Sequence, residues 1–175
     1  MRLQNPKEAE VYFNRAKAHD SKFYKAWLGL GLLELHKENI KQSEVYLIKA
    51  IELNPQSNKA FCAMGILKTN TNDLDESEEW FCRALDLNVD NILAIKSLIE
   101  ISYKTENFNR AQNYLKQFLK IHPANVNMLF AMAGIQFKRG EIEDSLQTLD
   151  DVLILDPKHQ YALDFQNSVR TVSVE

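Results

Sequence analysis

The chain repeats itself every 34 residues. Leu53-Asn54-Pro55, Leu87-Asn88-Val89, Ile121-His122-Pro123 and Leu155-Asp156-Pro157 are near-identical tripeptides at that spacing, and Val89 stands where one proline is missing. A fixed period of this length makes the chain a stack of like units, none of which can bury its apolar face alone. Function is therefore sought on a surface of the stack rather than in a single catalytic pocket.

Aligned on that period, the chain gives four full units, 24–57, 58–91, 92–125 and 126–159. Equivalent places agree in character: Leu30/Met64/Leu98/Met132, Gly31/Gly65/Ile99/Ala133, Leu33/Leu67/Ile101/Ile135, then Ser43/Ser77/Ala111/Ser145 and Leu47/Phe81/Leu115/Leu149. Spacings of three and four within a unit are those of an α-helical stripe, not of a strand. The pattern predicts two helices per unit, roughly 24–36 and 40–52 in the first. Turns are expected at Asn39, Asp73, Asn107 and Gly140, and the prolines break the chain between units. Small residues in the Gly31 and Ser43 columns let the two backbones approach closely.

Trp27-x-x-Leu30-Gly31, Ser43-x-x-x-Leu47, Ala50 and Pro55 resemble the signature of the tetratricopeptide repeat family, from about residue 5 to the end. The resemblance implies an all-α fold, a right-handed α-solenoid of antiparallel helix pairs forming one domain over 1–175. Beside the four full repeats it implies a half repeat at 5–21 and a capping helix at 160–173. There are departures. The family's tyrosine three residues after the glycine is replaced by Glu34, Lys68, Ser102 and Gln136, which implies looser packing late in each first helix. Ile99 and Phe118 enlarge normally small positions of the third repeat, implying a locally altered angle between repeats 2 and 4. Asn5, Pro6 and Glu8 read as a helix start, and Ala9, Phe13 and Ala16 fall where Ser43, Leu47 and Ala50 fall. A chain that opens on half a repeat is expected to be an excised segment or to follow a further domain, the alternative being that the half repeat is a natural helical cap. At the other end Ala162, Leu163 and Val169 are expected to pack backward, with Asp164, Gln166, Asn167 and Arg170 facing water.

In proteins of this family the first helices line a concave groove. Carried over, the partner-binding positions are Leu28, Leu32, Leu35, Cys62, Ile66, Lys96, Tyr103, Lys104, Phe130, Phe137 and Lys138. The segment Trp27–His36 points the same way without the family, because Leu28, Leu32 and Leu35 share a face remote from Trp27, Leu30 and Gly31. A helix apolar nearly all round must be covered on both sides. The expected cover is a partner segment with apolar and some acidic residues, a missing upstream helix, or a second copy of the chain. Three such anchors contribute at most about 5–9 kcal/mol by area, and association costs leave roughly micromolar binding. Leu28 and Leu32 stand where the family's carboxylate-holding members carry polar side chains, so that mode is not expected.

Composition removes other classes. With a net charge of −3 on 175 residues, no general attraction to nucleic acid or membrane is expected, although 92–125 is locally basic. Two lone cysteines, no signal-peptide pattern and no apolar run of about 18 residues point to the cytoplasm. Gly29-Leu30-Gly31 lies inside a helical pattern and lacks the last glycine of a dinucleotide fingerprint. His19, His36, His122 and His159 are scattered, so no metal, cofactor or catalytic constellation is expected, and Cys62 and Cys82 read as inert thiols. Tyr46, Trp80 and Tyr114 recur at the repeat period and are assigned to packing between repeats. The expected function is a non-catalytic adaptor or scaffold that binds a protein or peptide. The alternatives are a self-associating assembly and a chaperone that shields an apolar export substrate.

Overall fold

The computed structural model describes residues 6–172. Every element among them is an α-helix: α1 Pro6–His19, α2 Tyr24–His36, α3 Ile40–Leu53, α4 Asn58–Asn70, α5 Leu74–Leu87, α6 Ile92–Thr105, α7 Asn109–Ile121, α8 Val126–Lys138, α9 Ile142–Leu155 and α10 Gln160–Val172. The expected helix limits at 24–36 and 40–52 are met to within a residue. Asn5 lies outside the described residues, but α1 does begin on Pro6 with Glu8 in its first turn. The chain divides into two compact units between Ala94 and Ile95, just inside α6.

The first and second helices of a repeat are joined by a left-handed residue. Glu38, Asn72, Glu106 and Gly140, one repeat apart, have φ values of 60°, 61°, 54° and 76°. The turn is therefore centred one residue before Asn39, Asp73 and Asn107. Glu38 N–H donates to Leu35 O at 3.0 Å and Asn39 N–H to Glu34 O at 2.9 Å, the paired bonds that satisfy the last carbonyls of α2. The same pair recurs at Asn72/Asp73 and Gly140/Glu141. So short a link forces the two helices antiparallel.

Between repeats the link has its own chemistry. Asn54, Asn88 and Asp156 each accept at side-chain Oδ1 a bond from the backbone N–H two residues on, at 3.1, 3.1 and 3.2 Å. These turns place the prolines just past the helix ends, where a missing N–H does no harm. The next helix is then capped by Ser57, Asn91, Asn125 or His159, whose side chains accept from the backbone N–H three residues on.

A hydroxyl seals each hairpin. Ser43, Ser77 and Ser145 are fully buried and donate across to the carbonyls of Gly31, Gly65 and Ala133, each at 2.8 Å. In the third repeat Ala111 has no hydroxyl to give. Ser102 supplies one from α6 itself, donating to the equivalent carbonyl of Ile99 at 2.6 Å. The polar residues in the family's tyrosine column are engaged rather than loose. Lys68 bridges Glu44 and Glu76 at 3.0 and 2.7 Å, and Gln136 accepts from Thr148 at 2.8 Å.

In the first unit the core joins Leu28 and Leu35 of α2 to Leu47 and Ala50 of α3 and to Ala63, Met64 and Leu67 of α4. Trp27 and Tyr46, and likewise Phe61 and Trp80, meet with ring centroids 5.9 and 5.7 Å apart. These ring pairs form within a hairpin, while Lys17 of α1 lies over both Trp27 and Tyr46, and Trp80 packs on the cluster that α2, α3 and α4 build. In the second unit Ala133, Leu149 and Val152 pack against Ala162 and Val169 of α10. Gln166 departs from expectation: it is buried, because its amide donates to Asp150 on α9 at 2.6 Å.

Candidate functional site

The face of α2 that was expected to await a partner is largely covered by its own chain. Leu28 and Leu35 are each only 8% exposed, held in the cluster with Met64 and Leu67. Cys62 is buried too, and Ile66 is half-buried against the same cluster. For these residues the expectation of outside cover is corrected. The physical reason lies on both flanks of α2. The next repeat brings α4 against it, and α1 closes the other side through Phe13, whose ring occupies the space a Cβ at Gly29 would need. Lys37 reinforces α1 by pairing with Glu10 and Glu34, both at 2.8 Å. Those carboxylates push the Lys37 ammonium up to about 12, while Lys37 first and Asn39 second hold Glu34 below the usual carboxylate range.

Leu32 is different. It is 40% exposed and opens into a cavity of about 690 Å³ that it shares with Phe13, Leu35 and Leu93. Leu93 is 54% exposed. His36, Glu38 and Asn70 form the polar part of the wall. Phe13, Glu38 and Leu93 were missing from the sequence-derived site. Phe13 was legible only as the counterpart of Leu47.

The second unit has a corresponding cavity, of about 560 Å³, lined by Tyr103, Glu106, Phe108, Asn109, Lys138 and Arg139. Tyr103, Glu106 and Lys138 lie two repeat periods beyond Leu35, Glu38 and Asn70, so both cavities form at the same corner of the repeat. Their contents differ. Tyr103 packs edge-on to Phe108 at 5.2 Å, and its hydroxyl lies 2.6 Å from where a Cβ at Gly134 would stand. Burial raises the Tyr103 phenol above its ordinary value. Arg139 binds Glu141 at 2.7 Å and also reaches Asn109.

The remaining sequence-derived residues line neither of these two cavities. Phe130 and Phe137 pack on Phe165 of α10 with centroids 6.1 and 5.4 Å apart, so α10 uses the aromatic wall that a partner was expected to use. Lys104 pairs with Glu100 at 2.9 Å, and Lys96 is exposed. Burial pushes the Cys62 thiol up to about 11, against a smaller lowering by Asn91, which suits an inert thiol. Among the described residues no His, Cys, Asp or Glu cluster could hold a metal, and no helix is long and apolar enough to cross a membrane.

Residues 24–57 and 59–91 match one family model described as tetratricopeptide repeat, and residues 103–167 match a second of the same description. No curated protein matches. Among solved structures the chain is similar to YrrB, described as a TPR protein with an unusual peptide-binding site, with a TM-score of 0.74 at 17% identity over 92% of this chain and 83% of that one. It is also similar to MamA from Desulfovibrio magneticus RS-1, with a TM-score of 0.68 at 15% identity over 86% and 85%. A third, PilF of Pseudomonas aeruginosa, gives 0.71 at 16% identity over 96% and 77%. At these identities the likeness shows the fold alone.

Proposed function

This chain belongs to the tetratricopeptide repeat family, whose repeats are protein–protein interaction modules, and from that premise we propose that it is a non-catalytic adaptor that grips a partner segment in the cavity at Leu32. One observation carries the reading. Leu32 and Leu93 stay open in the first unit, where Leu28 and Leu35 of the same helix face are covered by the chain itself. YrrB, similar in fold, is described as having a peptide-binding site, which supports the same use. Two half-exposed leucines contribute about 2–3 kcal/mol when a partner covers them. That is enough to anchor a peptide and too little to hold it without further contacts. A cytoplasmic location fits two cysteines that form no disulfide.

Leu32→Glu tests the proposal. The exposed position tolerates the carboxylate, so far-ultraviolet circular dichroism stays unchanged while peptide affinity falls about tenfold or more. A loss of helix content, or an unchanged affinity, rejects Leu32 as an anchor. Self-association is the second reading, favoured by Ile154, Leu155 and Tyr161, which are exposed around the α9–α10 turn. Light scattering at tens of micromolar decides it, since a monomer there rejects a homo-oligomer.

A further inference from the structure

We infer that the socket at Leu32 selects a partner segment in which an apolar side chain is followed closely by a lysine or arginine, an inference that rests on the peptide-binding reading above. The sequence alone favoured an acidic partner, because Lys96, Lys104 and Lys138 were counted together with the leucines. The structure separates them. The apolar floor of Phe13, Leu32, Leu35 and Leu93 carries a single carboxylate on its wall, Glu38, and no lysine or arginine.

Glu38 makes no ion pair or hydrogen bond through its side chain among the described residues. The adjacent cation cannot serve it, since Lys37 is already held between Glu10 and Glu34. Counting Glu10 of α1 and Lys41 of α3, three carboxylates face two ammonium groups about this turn, which leaves it negative by one charge. Backbone geometry fixes where Glu38 points. The residue sits at φ 60° with its N–H bound to Leu35 O, so its Cβ direction is set before any partner arrives. A non-glycine residue held in that region costs free energy that the fold must offset.

The equivalent corner of the second unit shows what removes this character. There Lys138 replaces Asn70, Arg139 follows it, and Tyr103 takes the place of Leu35. The same turn carboxylate, Glu106, then shares its cavity with two cations and two aromatic rings. Of these two corners the first-unit one has the apolar floor, and there the carboxylate has no cation in its cavity. Glu106, though itself without an ion pair, has Lys138 and Arg139 in its own. Its complement is a greasy anchor with a cation beside it.

A random dodecapeptide phage library, panned on the full chain and on variants, tests this. Wild type is expected to enrich peptides with Leu, Ile or Phe and a Lys or Arg within four positions. A fluorescein-labelled peptide synthesised from that consensus should bind Glu38→Gln about two- to five-fold more weakly, with a flatter dependence on NaCl. Asn70→Lys, which imports the cation of the second unit, should weaken it at least as much, and the peptide with its cation changed to glutamine should bind wild type and Glu38→Gln alike. Circular dichroism confirms the fold of each variant. Apolar consensus peptides with Asp or Glu, or with no charge preference, overturn the inference and leave peptide binding standing. No enrichment at all overturns both. A wild-type dimer that Leu32→Glu dissociates assigns the socket to a second copy of the chain and also overturns the inference.

Discussion

Replacing Glu106 by glycine should stabilise the second unit. Glu106 is held at φ 54°, where a residue bearing a Cβ is disfavoured by about 1–2 kcal/mol. Glycine relieves that strain but returns about 0.5–1 kcal/mol through its larger freedom in the unfolded chain. The macrodipole terms oppose each other, because the carboxylate follows the end of α6 and precedes the start of α7. Its side chain makes no hydrogen bond or ion pair among the described residues. The net gain is about 0.5–1 kcal/mol, or about 1–4 °C in Tm for a chain of this size. Gly140 supplies the reverse measurement. It holds the same turn at φ 76° with nothing within 4 Å of an added Cβ, so Gly140→Ala tests the backbone alone and should lose about the same amount. Urea unfolding followed at 222 nm measures both. A lower midpoint for Glu106→Gly together with a neutral Gly140→Ala refutes the assignment of these turns.

Ser145→Ala should lower stability by about 1 kcal/mol in the same assay, since it deletes a fully buried hydroxyl that donates to Ala133 O at 2.8 Å. Asn125→Ala, which removes the cap that accepts from Met128 N–H at 3.1 Å, should cost about 1 kcal/mol as well, and Asn125→Ser should restore most of it. Cys62 should resist 5,5′-dithiobis(2-nitrobenzoate) at pH 8 until the chain unfolds. Its thiol is pushed from 9.0 to about 11, which lowers the thiolate fraction about a hundred-fold. The sign of the linkage follows: a group raised on folding favours the fold below pH 9, and that contribution disappears as pH climbs through about 11. Cys62→Ser should therefore flatten the alkaline limb of stability, and an unchanged limb counts against burial as the cause.

The 34-residue period placed nearly every helix limit because each boundary is local chemistry. Asn54, Asn88 and Asp156 turn the chain, and Ser57, Asn91, Asn125 and His159 start the next helix, whatever lies around them. The groove was legible only in outline. A column of residues shares a face by periodicity, but which members stay open depends on what the neighbouring helix presents. Leu28 was lost to α4, Phe130 and Phe137 to Phe165, and the sequence alone did not rank these against Leu32. Phe13 was hidden for a related reason, because its place against Gly29 breaks the column rule that puts Leu47 against Gly31. The expected acidic partner rested on lysines spread over several repeats, and none of Lys96, Lys104 and Lys138 lines the cavity at Leu32.

Ser102 caps a carbonyl of its own helix, and this sets the order in which the second unit comes apart. Parting α8 from α9 strands a buried hydroxyl, whereas α6 can swing away from α7 with its serine bond carried along intact. Under deuterium exchange the amides of α6 and α7 should label ahead of those in α8 and α9, which makes the third repeat the natural hinge for breathing.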